Sequence, residues 1–218
     1  MPADPWIRWD WLSTHIPSIL DALQQHVILT VIAVVVGLAI ALPLGIAAHR
    51  WGFLRNPLLT TFGILYTIPS LALFAFLVPY TGLSYLSAEI GLVSYTLLIL
   101  ARNVVVGLES VPPDILDAAD GMGYRPLARL LQVELPLALP AIMAGVRVAT
   151  VTTIGLVTIT ALIGVGGLGQ LINKGLIDNF HTPLVVATAL SIALALVADV
   201  TLAGVQRLAV PWSRTVAR

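Results

Sequence analysis

The chain has 218 residues, of which 58% are hydrophobic and only 10% are charged. A soluble domain carries about 25% charged residues, so this composition excludes an ordinary soluble protein. The formal net charge is zero, which argues against a nucleic-acid partner because such proteins carry a basic surface. The sequence contains no cysteine, which excludes disulfides, thiolate metal sites and cysteine nucleophiles.

Long stretches of the sequence contain no Asp, Glu, Lys or Arg. Four of them have 20 residues or more, at 22–49, 56–88, 148–173 and 179–198. About 20 apolar residues cross a bilayer, and only a helix or a closed barrel satisfies the backbone in lipid. The continuous apolar runs therefore predict an all-α polytopic membrane protein. Its five spans are placed at about 27–48, 57–79, 90–108, 137–163 and 183–206.

Basic residues are distributed unevenly between the two ends of these spans. The loops after the first and third spans and the C-terminal tail hold seven arginines, whereas the opposite side holds Arg8 and Lys174. Because positive residues concentrate in cytoplasmic loops, we expect the N-terminus outside and the C-terminus in the cytoplasm. Residues 27–210 would form the transmembrane domain, and residues 211–218 a cytoplasmic tail.

Residues 1–26 contain three tryptophans followed by apolar residues at helical spacing. This pattern predicts an external, amphipathic segment anchored at the membrane interface. The alternative is that Trp6, Trp9 and Trp11 form a cage for a cationic ligand.

The longest loop, residues 109–136, has a helical pattern of its own. Pro113 is typical of a helix start, and Gly123 of the turn that ends a helix. Pro126 opens a second, leucine-rich amphipathic helix, which Pro136 ends at the fourth span. Short helices of this kind are suited to docking on another protein.

The same loop resembles the cytoplasmic signature of permeases of binding-protein-dependent ABC importers. In that family the pattern is Glu-Ala-Ala, three residues, Gly, nine residues, Ile, one residue, Leu-Pro. This chain keeps the spacing and has Asp for Glu and Val for Ile. The matching residues are Asp117, Ala118, Ala119, Gly123, Val133, Leu135 and Pro136. The resemblance implies that this loop is the coupling segment that docks on an ATP-binding subunit.

Residues 66–73, 101–103 and 161–169 resemble permeases of osmoprotectant importers, which carry glycine betaine, choline, carnitine or related solutes. The resemblance implies a five-span permease core like that of methionine importers, in the bacterial inner membrane. It also implies several partners: an ATPase dimer that binds ATP and Mg, a second permease subunit and an external solute-binding protein. The alternatives are a permease for methionine or another small solute, and an ion-coupled transporter or channel.

The sequence contains no G-x-x-x-x-G-K-[ST] motif, so we expect no nucleotide or other cofactor in this chain and no enzymatic activity. The four histidines, His15, His26, His49 and His181, are scattered without a metal-ligand spacing, and we expect them at the membrane interface. The run Gly164–Gly169 fits a dinucleotide-binding fingerprint, but it follows an apolar span rather than a strand and lacks the downstream acid. We interpret it as a turn at the outer end of the fourth span.

Three charges, Arg102, Arg147 and Asp199, lie within predicted spans, where each needs a partner or access to the interface. Either Arg147 pairs with Asp199 and Arg102 extends to the interface, or these side chains line the translocation path. Pro69 is expected to bend the second span. The candidate residues for the path or its gate are Pro69, Ser70, Arg102, Arg147, Asp199, Gly164, Gly166, Gly167 and Gly169.

Overall fold

The computed structural model describes residues 6–211 and is almost entirely helical. Its helices are α1 (Trp9–Arg50), α2 (Gly52–Thr67), α3 (Ser70–Thr81), α4 (Tyr85–Glu109), α5 (Pro113–Gly121), α6 (Pro126–Arg129), α7 (Leu135–Val157), α8 (Gly167–Ile177) and α9 (His181–Ala209). A π-helical turn, Leu130–Glu134, precedes α7, and a 3-10 helix, Ile159–Ile163, follows it. By length and composition, four described helices can cross a membrane, or five if the bent pair α2 and α3 forms one span. The predicted all-α, multi-span architecture is confirmed.

The first helix is longer than predicted. α1 is one helix of 42 residues, where the sequence predicted a separate interfacial segment up to residue 26. Pro17 and Pro43 lie inside α1 without ending it, and no glycine or proline lies between Pro17 and Gly37 to stop the helix. Residues 1–5 and, apart from Pro211, the predicted tail lie outside the described residues.

The second predicted span is broken into two helices. α2 and α3 are bent by 93° relative to each other at Ile68 and Pro69. A residue that precedes proline avoids helical backbone angles, and Ile68 is accordingly extended, with φ −64° and ψ 128°. The bend expected at Pro69 is thus present, and it is a complete interruption of the helix rather than a kink within it.

The central helix is α4, which packs along both α1 and α7. Small residues allow this close approach: a Cβ atom on Gly37 of α1 would lie 1.9 Å from Thr96 Oγ1 of α4. A Cβ on Gly145 of α7 would lie 2.5 Å from the Cβ of Asn103. Contacts at small residues are the usual basis of helix association in membranes.

The bundle has two ends that differ in what connects the spans. At the first end, α5, α6 and the π-helical turn join α4 to α7; we call it the α5 end. At the opposite end, the 3-10 helix and α8 join α7 to α9; we call it the α8 end. The predicted coupling residues lie at the α5 end, and the predicted glycine turn lies at the α8 end.

Candidate functional site

The segment between α4 and α7 forms a short helix with a sharp end, as predicted. Pro113 is the first residue of α5. Gly123 has φ +81°, a left-handed conformation that is unfavourable for residues with a Cβ atom. The Tyr124 N–H donates to the Ala119 carbonyl at 3.1 Å and closes the last turn.

The residues of this segment that match the permease signature do not share one face. Asp117 and Ala118 are exposed, whereas Ala119 is only 1% exposed. Consecutive helical residues point about 100° apart, so Ala118 and Ala119 do not form one exposed face of small residues. Leu135 and Pro136 begin α7 and are both half-buried. Pro136 does not end the preceding helix as predicted, because α6, the π-helical turn and α7 form one continuous helical segment, Pro126–Val157.

Large apolar side chains are also exposed on this segment. Met122, Leu127 and Leu131 expose 70%, 65% and 55% of their surface. Exposed apolar residues beside polar ones are typical of protein interaction sites. We call Asp117, Ala118, Met122, Leu127 and Leu131 the docking surface.

One arginine connects α5 and α6, which we together call the docking segment, to the rest of the bundle. Arg129 Nη1 lies 2.5 Å from Asp120 Oδ2, and its Nε donates to Glu134 Oε1 at 2.8 Å. The Glu134 side chain is only 8% exposed, and its second oxygen lies 4.0 Å from His49 Nε2 of α1. A continuous set of polar contacts thus runs from α5 through Arg129 and Glu134 to α1.

The sequence does not predict this connection, because residues five apart do not face each other on an α-helix. The π-helical turn that ends at Glu134 brings residues i and i+5 together. Pro136 lies directly beyond this turn and has no N–H to continue an α-helical ladder. A proline two residues after an acid, with an arginine five residues before that acid, is the pattern that could have indicated it.

Arg147 of α7 and Asp199 of α9 form an ion pair, which confirms the predicted pairing. Arg147 Nε and Nη2 donate to the two carboxylate oxygens of Asp199, both at 2.9 Å. The two side chains remain 32% and 40% exposed. They line a cavity of about 520 Å³ together with apolar residues of α7 and α9, among them Val148 and Leu196.

Arg102 lies elsewhere, on the side of α4 that faces α2. It is exposed and lines a groove of about 510 Å³ together with Arg55, Asn56 and Thr60. At the α5 end of the groove, Arg55 pairs with Glu109, the last residue of α4.

A tyrosine of α4 contacts the break between α2 and α3. The Tyr95 hydroxyl donates to the carbonyl of Ile68, the residue before Pro69. The rings of Tyr66 and Tyr95 meet edge to face, with centroids 5.8 Å apart. Pro69 itself is exposed and Ser70 is half-buried.

The glycine turn at the α8 end is tightly packed. Gly164, Gly166 and Gly167 all have positive φ. The Gly167 N–H donates to Gln25 Oε1 of α1 at 2.8 Å, and a Cβ at this position would lie 2.5 Å from the Ala22 carbonyl. Gly169 is also buried. Gly167 therefore lets the chain lie directly against α1, whereas Gly166 and Gly169 pack against the backbone between Val157 and Ala161.

Two polar side chains of the spans, His26 and Glu89, have buried polar atoms that the sequence did not predict. His26, expected at the interface, is fully buried, and its Nε2 lies 3.0 Å from the Ile154 carbonyl oxygen. Glu89 lies in α4, one residue before the predicted span. Both of its carboxylate oxygens are buried without a hydrogen-bond partner among the described residues.

The candidate path residues do not converge on one site. Arg147 and Asp199 lie between α7 and α9, and Arg102 lies between α2 and α4. α3 begins at Ser70. Its Phe74 packs in the same apolar cluster as Val165 of the glycine turn. The docking segment at the α5 end is the part of the chain whose geometry most clearly fits one role.

Comparison with known proteins shows the family to which this chain belongs. Residues 33–209 match the family described as "Binding-protein-dependent transport system inner membrane component". The chain belongs to this family: it is a multi-pass inner-membrane permease subunit of an ABC importer, which confirms the resemblance of its loop and spans.

Individual members of this family are similar to the chain over most of its length. The choline transport system permease protein OpuBB of Bacillus subtilis is 35% identical over 203 residues, which cover 92% of this chain and 93% of the relative. The osmoprotectant import permease protein OsmW of Salmonella typhimurium is 37% identical and covers 80% of this chain and 84% of its own length. The inward-facing methionine ABC transporter MetNI superimposes with a TM-score of 0.80 at 20% identity, over 90% of this chain and 98% of that chain. The predicted permease fold is confirmed.

Proposed function

We propose that this chain carries solutes with a quaternary ammonium group, such as choline, glycine betaine or carnitine, across the inner membrane. The main support is that two relatives aligned over 92% of this chain are named for choline and for glycine betaine, carnitine and choline. These solutes share a trimethylammonium group. The Helicobacter pylori protein EgtU, named for ergothioneine, is 41% identical over 151 residues, which are 27% of its length. Ergothioneine carries the same group.

ATP is hydrolysed by separate subunits in this proposal. An ATPase dimer, which binds ATP and Mg, would contact the docking surface. The support is that Asp117 and Ala118 are exposed within the signature. Closure of that dimer would displace α5, and Arg129 would transfer the displacement to Glu134 and α7.

High-affinity selection belongs to an external solute-binding protein. Proteins usually bind quaternary ammonium groups in aromatic cages. In the spans, Phe62, Phe74 and Tyr95 are buried. The rings of Tyr66 and Phe76 are exposed, but they lie on two different helices, α2 and α3. With the α5 end in the cytoplasm, as the arginine distribution indicates, the binding protein would deliver solute at the α8 end. A second permease subunit, identical or different, would complete the path.

Uptake into proteoliposomes tests the substrate class. Vesicles that contain the complete complex and the binding protein are supplied with radiolabelled choline, glycine betaine, carnitine or methionine, with and without enclosed ATP. We expect ATP-dependent accumulation of at least one trimethylammonium solute. Accumulation of methionine alone, or uptake that needs no ATPase subunit, would contradict the proposal.

A bulky residue in the docking surface tests the contact with the ATPase. Ala118→Trp should abolish ATP-driven uptake, because an indole on an exposed helix face prevents close approach of a partner. Ala118→Ser is the matched control, since its small side chain preserves the approach. Both variants should reach the membrane in equal amounts, because residue 118 is exposed. Normal uptake by Ala118→Trp would refute docking at this surface.

A further inference from the structure

The groove between α2 and α4 has the chemistry of an anion site. It has a volume of about 510 Å³, and its polar lining consists of Arg55, Asn56, Thr60 and Arg102. We infer that this groove binds the phosphate group of an anionic phospholipid, with Arg102 as the principal ligand. We call it the lipid groove.

The two arginines of the groove differ in their partners. Arg55 is neutralised by Glu109: its Nη1 lies 2.6 Å from Oε1, and its Nη2 donates to Oε2 at 3.1 Å. Arg102 makes no ion pair or side-chain hydrogen bond within residues 6–211. The lining therefore has one positive charge that the described chain does not compensate.

The position of Arg102 along α4 determines which group can neutralise its positive charge. Arg102 lies seven residues before Glu109, the end of α4, which is about 10 Å along the helix axis. An unpaired charge at such a depth is unfavourable unless its side chain extends to the interface. Lipid phosphates lie at that interface, within reach of an extended arginine.

The other residues of the groove suit a lipid better than a small soluble anion. The Arg102 guanidinium can bind two phosphate oxygens at once, and the Asn56 amide and the Thr60 hydroxyl add donors. Leu59 and Val106 also line the groove, and Val106 is 49% exposed. Apolar residues beside a phosphate site can pack against the glycerol and the first part of an acyl chain.

Lipid binding to the purified full-length chain tests this inference without any transport. Native mass spectrometry measures the affinity for added phosphatidylglycerol and for phosphatidylcholine, which has no net charge. We expect phosphatidylglycerol to bind more tightly. Arg102→Gln should lower its affinity about tenfold, because one charge-assisted contact is lost. Arg125→Gln removes a charge from an exposed residue at the same end and should leave the affinity unchanged.

A second variant covers the case in which Arg102→Gln does not fold. Thr60→Val preserves every charge and should weaken phosphatidylglycerol binding about threefold, the effect of one neutral hydrogen bond. Equal affinity for the two lipids, or wild-type affinity of the folded Arg102→Gln variant, would overturn the inference. Displacement of the lipid by millimolar inorganic phosphate would also overturn it, because the groove would then be a site for free anions.

Discussion

Loss of the Arg129 side chain should uncouple ATP hydrolysis from transport. Arg129 joins Asp120 of α5 to Glu134, directly before α7. In Arg129→Gln, α5 would still present its exposed face to the ATPase. However, the displacement of α5 would no longer be transferred through an ion pair to α7 and α1. We therefore expect ATPase activity to persist while the number of solute molecules accumulated per ATP falls.

The two ends of this connection contribute unequally to stability. Asp120 is 54% exposed, and an exposed ion pair contributes about 0–1 kcal/mol. Glu134 is 8% exposed, and an orphaned buried charged group costs about 2–3 kcal/mol. His49 at 4.0 Å and water at the position of the lost guanidinium would offset part of this cost. We therefore expect Arg129→Gln to reduce the free energy of unfolding by about 2 kcal/mol.

Matched variants separate stability from coupling. Arg129→Gln with Glu134→Gln should recover most of the stability, because no buried charge is then orphaned, but it should not recover coupling. Asp120→Asn should change stability by less than about 1 kcal/mol. Unfolding is followed in detergent, and coupling as accumulated solute per phosphate released in proteoliposomes. An unchanged ratio in Arg129→Gln, with wild-type stability, would refute the role of this connection.

Three further variants test other parts of the structure. Gly123→Ala should lower the free energy of unfolding by about 1 kcal/mol, because Gly123 has a left-handed backbone conformation. Its unfolding midpoint should lie below that of the control Gly121→Ala, in which the added Cβ atom meets open space. Gly167→Ala should lower the free energy of unfolding by more, about 2 kcal/mol, because its Cβ atom would also meet the backbone of α1. The control is Gly155→Ala, in which the added Cβ atom meets open space. Equal unfolding midpoints of these two variants would contradict the packing described. Asp199→Asn should lower the yield of folded, membrane-inserted chain more than it changes the ratio of choline to methionine uptake; normal expression with an altered ratio would instead favour direct contact with the solute.

Much of the fold could be predicted because lipid imposes strong and simple constraints. Long apolar runs with at most one charge are sufficient to place spans, and three of the five agree approximately with α4, α7 and α9. The helix 113–121 and its glycine end could be predicted because proline and positive-φ glycine act locally. The Arg147–Asp199 pair could be predicted because a charge within a span needs a partner.

The remaining features depend on contacts that are distant in sequence. A proline indicates a bend, but the 93° angle at Pro69 depends on how Tyr95 and the surrounding helices hold Ile68. The burial of His26 requires a carbonyl acceptor 128 residues away in α7. The Arg129–Glu134 contact depends on a π-helical turn, which no apolar periodicity indicates.

The length of α1 has a consequence for how the two ends of the bundle communicate. Its His49 lies beside Glu134 at the α5 end, and its Gln25 accepts a hydrogen bond from Gly167 at the α8 end. These residues are 24 positions apart on one helix, or about 36 Å at 1.5 Å per residue, which exceeds the bilayer core of about 30 Å. Because α1 is unbroken between them, a displacement of Glu134 that moves His49 also moves the helix against which the glycine turn packs. A flexible joint near residue 26 would have separated the two ends. The continuous helix would therefore give the proposed ATPase at the α5 end a mechanical connection to the opposite side of the membrane.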